Sequence, residues 1–191
     1  LNETTRHADV ILPPPPPSRS PHFDFALNAL AVRNNARYSP PVLPLKTGPD
    51  EAEILARIAL VLYGVGVGAD PALVDEQVIA TTLAKETADA ASPVAGRAVD
   101  ELTAMLEDGP GYERRLDMML RLGAYGDAFG ARTEGLTLKR LKAAAHGIDL
   151  GPLQSRLPDL LRTASGLIEL APPPLVTDAA RLRDSLEHRT E

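Results

Sequence analysis

Cysteine is missing from this chain. That removes disulfides, thiolate-bound zinc, cysteine-held iron–sulfur clusters and a thiol nucleophile from the chemistry its own residues can perform. Tryptophan is missing too, and with three Phe and four Tyr the core has to be built from Leu, Ala, Val and Ile. No basic block occurs, and no aromatic residues alternate with basic ones. The net charge is −6, and nucleic acid is not expected as a partner. No apolar run approaches the roughly 20 residues of a membrane span, so none is expected. The first residues lack the charged segment and apolar core of a signal peptide, and a cytoplasmic location is the expectation.

What is present is ordinary globular material. At 191 residues, 44% hydrophobic, the chain has room for one domain or a domain plus part of a neighbour. Near its start, a polar turn (Asn2 to Asp9) leads into Val10-Ile11-Leu12, and Pro13 follows. That pattern predicts a buried strand of a sheet. Residues 13–17 are five prolines, which form an extended, stiff spacer or a docking arm for a polyproline-reading domain. Residues 21–30 are expected to form a short helix, and Ala36 to Leu45 an edge-like strand.

Helical spacing then takes over. Asp50 is the expected N-cap of a mostly buried helix over 50–63, which Gly64 ends. Gly64-Val65-Gly66-Val67-Gly68 follows a helix, where a phosphate loop would follow a strand, so it reads as a connector. A second helix over 71–87 is capped by Asp70 with Pro71 at its first position. A third covers 98–107. A fourth covers 112–122, with Tyr112, Leu116, Met119 and Leu120 on one face. A short fifth follows Thr137. Leu160 to Thr163 and Leu167 to Leu170, joined by Ala164-Ser165-Gly166, predict a β-hairpin that Pro172 to Pro174 ends. A last helix is expected over 178–186.

Chemistry is thinly marked. His7, His22, His146 and His188 are scattered without ligand spacing, no serine sits in a nucleophile elbow, and no catalytic residue or metal ligand is assigned. Residue spacing yields a mainly α fold with short β segments and no function.

Three stretches add a resemblance. Glu3-Thr4-Thr5-Arg6-His7-Ala8-Asp9-Val10-Ile11-Leu12-Pro13 resembles the E-T-x-x-x-A-D-x-x-L-P stretch of the molybdopterin-dependent oxidoreductases, the family of formate dehydrogenases, nitrate reductases and DMSO reductase. Asp50 to Leu60 resembles the family's helix after a polar linker. Leu161 to Pro172 resembles the hairpin that leads into its C-terminal cap domain. Residues 64–150 match only in being helical.

The resemblance implies a fragment of a multidomain α/β enzyme. Residues 1–48 would end the dinucleotide-fold cofactor domain and add a Pro-rich linker, 49–150 would be a helical segment, and 151–191 would lead into a cap domain outside this chain. The intact parent would hold molybdenum on molybdopterin guanine dinucleotide, with formate as a family-level substrate, and the remainder of the parent would be the partner. The isolated fragment would be inactive and carry no cofactor. By the same resemblance Asp50 would accept hydrogen bonds from the guanine N1–H and 2-amino group. Arg19 or Ser20 would fall near a polar contact to the nucleotide, and Asn28 matches a family Asn near this point. Glu3, Thr4 and Thr5 would either lie beside the pterin groove or pin their own turn.

The rival expectation is a free-standing helical interaction or scaffold module with a proline-rich docking arm. A fully paired internal strand at residues 8–13 would count heavily against the fragment.

Overall fold

A computed structural model of the chain describes residues 2–24 and 30–188. The chain divides into two units, Leu1–Pro152 and Leu153–Glu191. It is mainly helical, with six α-helices and a few short strands in two small antiparallel sheets among the described residues.

In the first unit, β1 (His22–Phe23) pairs with β3 (Tyr38–Ser39), and β2 (Arg33–Ala36) pairs with β4 (Ile148–Pro152). The register Ala36↔Ile148 joins the two ends of the unit. An exposed ion pair between Arg33 and Asp149, 2.7 Å, lies across it. Five helices lie between: α1 (Glu51–Leu62), α2 (Ala72–Ala88), α3 (Val99–Ala104), α4 (Gly111–Leu122) and α5 (Leu138–Ala143).

α4 is the central element because it serves two cores. Met118 joins Ile79, Leu83, Val94, Leu102, Leu106 and Phe129 in one. Leu120 joins Ala36, Tyr38, Leu136, Leu138 and Leu141 in the other. A helix packed on both sides has no single apolar stripe, which is why the predicted face is wrong at one position. Met118 is the buried methionine, whereas Met119 is 47% exposed.

The helix starts follow from local chemistry. Asp50 Oδ1 accepts the Glu53 N–H at 2.7 Å, Asp70 Oδ1 accepts the Ala72 N–H at 3.0 Å, and Thr137 Oγ1 accepts the Arg140 N–H at 3.1 Å. Each fills a donor left open in a first helical turn.

Several expectations are corrected. Val10, Ile11 and Leu12 are exposed and belong to no strand. Strand character needs a ladder partner, and the apolar run alone does not supply one. The expected helix at 21–30 gives way to β1 at its start, its residues 25–29 lying outside the described residues. The expected strand over Ala36 to Leu45 is reduced to Ala36, the last residue of β2, and Tyr38–Ser39. Beyond it Val42 and Leu43 donate their N–H groups to Ser18 O at 3.0 and 2.9 Å. α1 is not mostly buried: only Ala56 and Leu60 are, since α2 is the helix it packs on and its outer face stays in solvent.

In the second unit the hairpin expected over 160–170 does not form. The Ala164-Ser165-Gly166 turn forms, with Thr163 Oγ1 donating to Leu167 O at 2.7 Å, but no ladder flanks it. Two short strands without a third strand or a covering face are marginal in water. α6 (Pro173–Glu187) starts at the prolines expected to precede it, because proline suits the first helical turn.

Candidate functional site

A cleft of about 520 Å³ in the first unit opens where α1, α2 and α4 meet the chain at Ser20 and Pro21. Ala52, Leu55, Ala56, Ala59 and Val74 form its apolar wall. Its polar groups are Ser20, Asp50, Glu51, Asp75, Tyr112 and Arg115. A mostly apolar cleft of this size with a few convergent polar groups is the usual form of a small-molecule site.

Each polar group is held in place by its element. Asp50 caps α1 through Oδ1, and a carboxylate retains acceptor capacity for further donors. Asp75, on α2, pairs with Arg115 Nη1 at 3.1 Å. Tyr112 and Arg115 lie one turn apart on α4 and so share a face. The close approach of α4 to α2 requires glycine at its first position: a Cβ on Gly111 would lie 2.6 Å from Asp75 Oδ2.

The charges are crowded. Burial lifts the Asp75 carboxyl above its ordinary value. Arg115 opposes that shift, and the charges of Glu76 and Asp50 add to it. Burial, followed by the charges of Glu113 and Asp50, pushes the Tyr112 phenol up to about 12.

This shift carries a pH dependence. An ordinary tyrosine ionises near about 10, so the unfolded chain gives up this proton before the folded one does. The stability from a neutral Tyr112 is complete below about pH 10 and is lost as pH climbs towards about 12. Tyr112→Phe is expected to make unfolding by urea less sensitive to pH across that alkaline window. An unchanged pH slope would show that the phenol is not shielded.

Beside the cleft, Glu113 accepts hydrogen bonds from the Tyr38 hydroxyl and, at 2.6 Å, from Lys142 Nζ, which also sits 5.7 Å from the Tyr38 ring centroid. Burial and then Glu113 hold the Tyr38 phenol well above its usual range. This cluster ties β3, α4 and α5 together behind Tyr112.

The nominated residues divide. Ser20 and Asp50 line the same cleft. Arg19 donates to Pro44 O and lines a separate hollow with Pro13, Pro16 and Pro49. Glu3 pairs with Arg6. Thr5 and Asn2 exchange reciprocal hydrogen bonds of 2.8 Å, and Thr4 opens that turn without a side-chain cap. Glu3, Thr4 and Thr5 do not line the cleft. Asn28 lies outside the described residues.

Sequence reasoning did not nominate Asp75, Tyr112 or Arg115 as site residues. The spacing of Tyr112 and Arg115 was visible, but the pairing of Asp75 with Arg115 spans two helices and leaves no local signal. Asp50→Ala is expected to cost about 1 kcal/mol through loss of the cap, and Asp50→Ser only a few tenths, checked by denaturant unfolding. Equal losses would mean that the side chain does not cap.

Compared with protein families, curated proteins and solved structures, the chain matches none of them.

Proposed function

We propose that the chain is a segment of a molybdenum bis-pterin-dinucleotide oxidoreductase, formate dehydrogenase-like in type, and that it contributes to holding the guanine end of the cofactor. The observation that supports this most is the convergence of Ser20 and Asp50, far apart in sequence, on one cleft. The donor chemistry suits the group. A carboxylate accepts from the two adjacent N–H donors of a guanine edge, a serine hydroxyl gives or takes one more hydrogen bond, and the apolar wall accommodates a ring face. The metal centre would supply the two-electron chemistry, and Asp50 and Ser20 would bind and orient the nucleotide. The exposure of Val10, Ile11 and Leu12 is in keeping with apolar surface that the rest of the parent would cover.

The second reading is a helical interaction module. It is favoured by the exposed apolar run at the end of α1, where Leu62 and Tyr63 are 80% and 82% exposed and Val65 and Val67 follow. The remainder of the parent would cover that surface in the first reading, and a separate protein in the second.

Size and metal content separate them. An antibody against this chain is expected to detect, in extracts of the native cell, a polypeptide much larger than 20.4 kDa that fractionates with molybdenum and pterin. A native species of about the chain's own mass, free of molybdenum, would overturn the first reading and favour the second. The purified chain alone is expected to carry neither metal nor pterin, and near-stoichiometric molybdenum on it would refute that.

A further inference from the structure

We infer that α4 supplies the residues that determine base specificity in this cleft, with Tyr112 as the platform for a guanine ring and Arg115 as the donor to its O6. The inference rests on the guanine reading of Asp50 and adds to it a second helix, from the part of the chain where the family resemblance is weakest.

The edge of guanine runs from donor to acceptor: the 2-amino group, then N1–H, then O6. A carboxylate satisfies only the first two. Left alone, O6 would be desolvated without a donor, at a cost in affinity. Arg115 is the guanidinium in the lining of the cleft, opposite in charge to Asp50. Its salt bridge to Asp75 uses Nη1, and a guanidinium has further N–H groups to offer. The same bridge fixes where the fork points, and Gly111 allows α4 close enough to make it. The Arg115 side chain keeps 39% of its surface open, enough for a ligand to reach it.

Tyr112 follows from the same helix face. Aromatic side chains hold bases by stacking whatever their sequence identity, so a tyrosine in the lining supplies affinity while the edge contacts supply choice. Asp50, Asp75 and Tyr112 line the same cleft, so the three groups stand around one space.

The charge balance selects the part of the ligand that enters. Asp50, Glu51 and Asp75 stand against Arg115 alone, so the lining is net negative. Such a cleft favours a neutral ring rich in N–H donors and leaves a phosphate outside. Adenine presents the reverse pattern, with an acceptor at N1 and a donor at position 6. It would set an acceptor against the carboxylate and a donor against the guanidinium.

The test is calorimetric or NMR titration of the 191-residue chain with guanosine, and with adenosine for comparison. Guanosine is expected to bind saturably in the millimolar range and at least tenfold more tightly than adenosine. Arg115→Lys, which keeps the charge facing Asp75, and Arg115→Gln should each weaken guanosine several-fold and narrow that ratio. Tyr112→Leu should weaken both nucleosides about tenfold, while Tyr112→Phe retains them. Asp50→Ser keeps a helix cap and should abolish discrimination. Thermal unfolding of each variant separates loss of binding from loss of fold.

Guanosine binding that falls in Asp50→Ser but is unchanged in both Arg115 variants and in Tyr112→Leu overturns the role of α4 and leaves the Asp50 reading standing. Equal affinity for the two nucleosides, or no saturable guanosine binding, overturns this inference. The native-size experiment then decides the parent enzyme independently.

Discussion

Replacing Asp117 with alanine is expected to remove about 3 to 5 kcal/mol of stability, enough to leave a domain of this size marginal. Asp117 is completely buried on α4. Its Oδ1 accepts the Leu138 N–H at 2.7 Å, and its Oδ2 accepts the Glu107 N–H at 3.0 Å and Arg121 Nε at 2.8 Å. One carboxylate thus satisfies the chain after α3, the first residue of α5 and a nearly buried guanidinium. Arg121 in turn reaches Asp127 at 2.7 Å and lies 5.5 Å from the Phe129 ring centroid. Alanine leaves two backbone N–H groups without an acceptor, at about 1 to 3 kcal/mol each. It also leaves Arg121 with one anionic partner where it had two. Asp117→Asn is expected to cost less, about 2 kcal/mol, since one oxygen remains to accept while the new amide faces donors. Urea unfolding of the two variants checks both the size and the order. A loss below about 1 kcal/mol for alanine would mean that the network is not coupled to folding.

Asp117 also shows what a sequence conceals. In a helix with charged neighbours, an aspartate reads as one more solvated position, and only its placement between two cores makes it the centre of a network. The same geometry misled the choice between Met118 and Met119. What was legible was local. Asp50, Asp70 and Thr137 accept from N–H groups two or three residues on, and the cap expected at Asp50 and the helix expected after Thr137 are where the residue types put them. What was not legible was long-range. The pairing of Arg33–Ala36 with Ile148–Pro152 depends on strands more than a hundred positions apart, neither with a strong strand pattern. The hairpin expected around Ser165 failed for the converse reason: its local signal was good, but it has no third strand to lie against. The cleft divides along the same line. Resemblance nominated Ser20 and Asp50, whereas Asp75 and Arg115 gain their meaning only from each other.

Gly135→Ala is expected to cost roughly 3 kcal/mol, and Gly126→Ala a similar amount, although neither change removes a single contact. The segment from Gly123 to Thr137 doubles back on the end of α4. Gly126 bridges Leu136, Leu136 N donates to Tyr125 O at 2.7 Å, and Asp127 N donates to Leu136 O at 3.2 Å. Within the loop Asp127 accepts the Phe129 N–H at 3.0 Å and the Gly130 N–H at 3.1 Å. Those bonds hold Ala128 and Phe129 at φ of 50° and 53°, left-handed values that ordinary residues avoid. Backbone therefore lies on backbone. A Cβ on Gly135 would sit 2.2 Å from Asp127 Cα, and one on Gly126 would sit 2.1 Å from Leu120 O. No rotamer relieves a clash with main chain, so the loop has to lift. Lifting it moves Asp127 away from Arg121 and weakens the Asp117 network from its far side. Gly68 is the control: nothing lies within 4 Å of a Cβ there, and alanine should change stability by no more than about 0.5 kcal/mol. If Gly135→Ala unfolds no more readily in urea than Gly68→Ala, the loop is not packed against α4. If it unfolds as expected, α4 is fixed at its C-terminal end by this loop and at its N-terminal end by Gly111 against Asp75. A helix that presents Tyr112 and Arg115 to a cleft in fixed positions has to be held at both ends in this way.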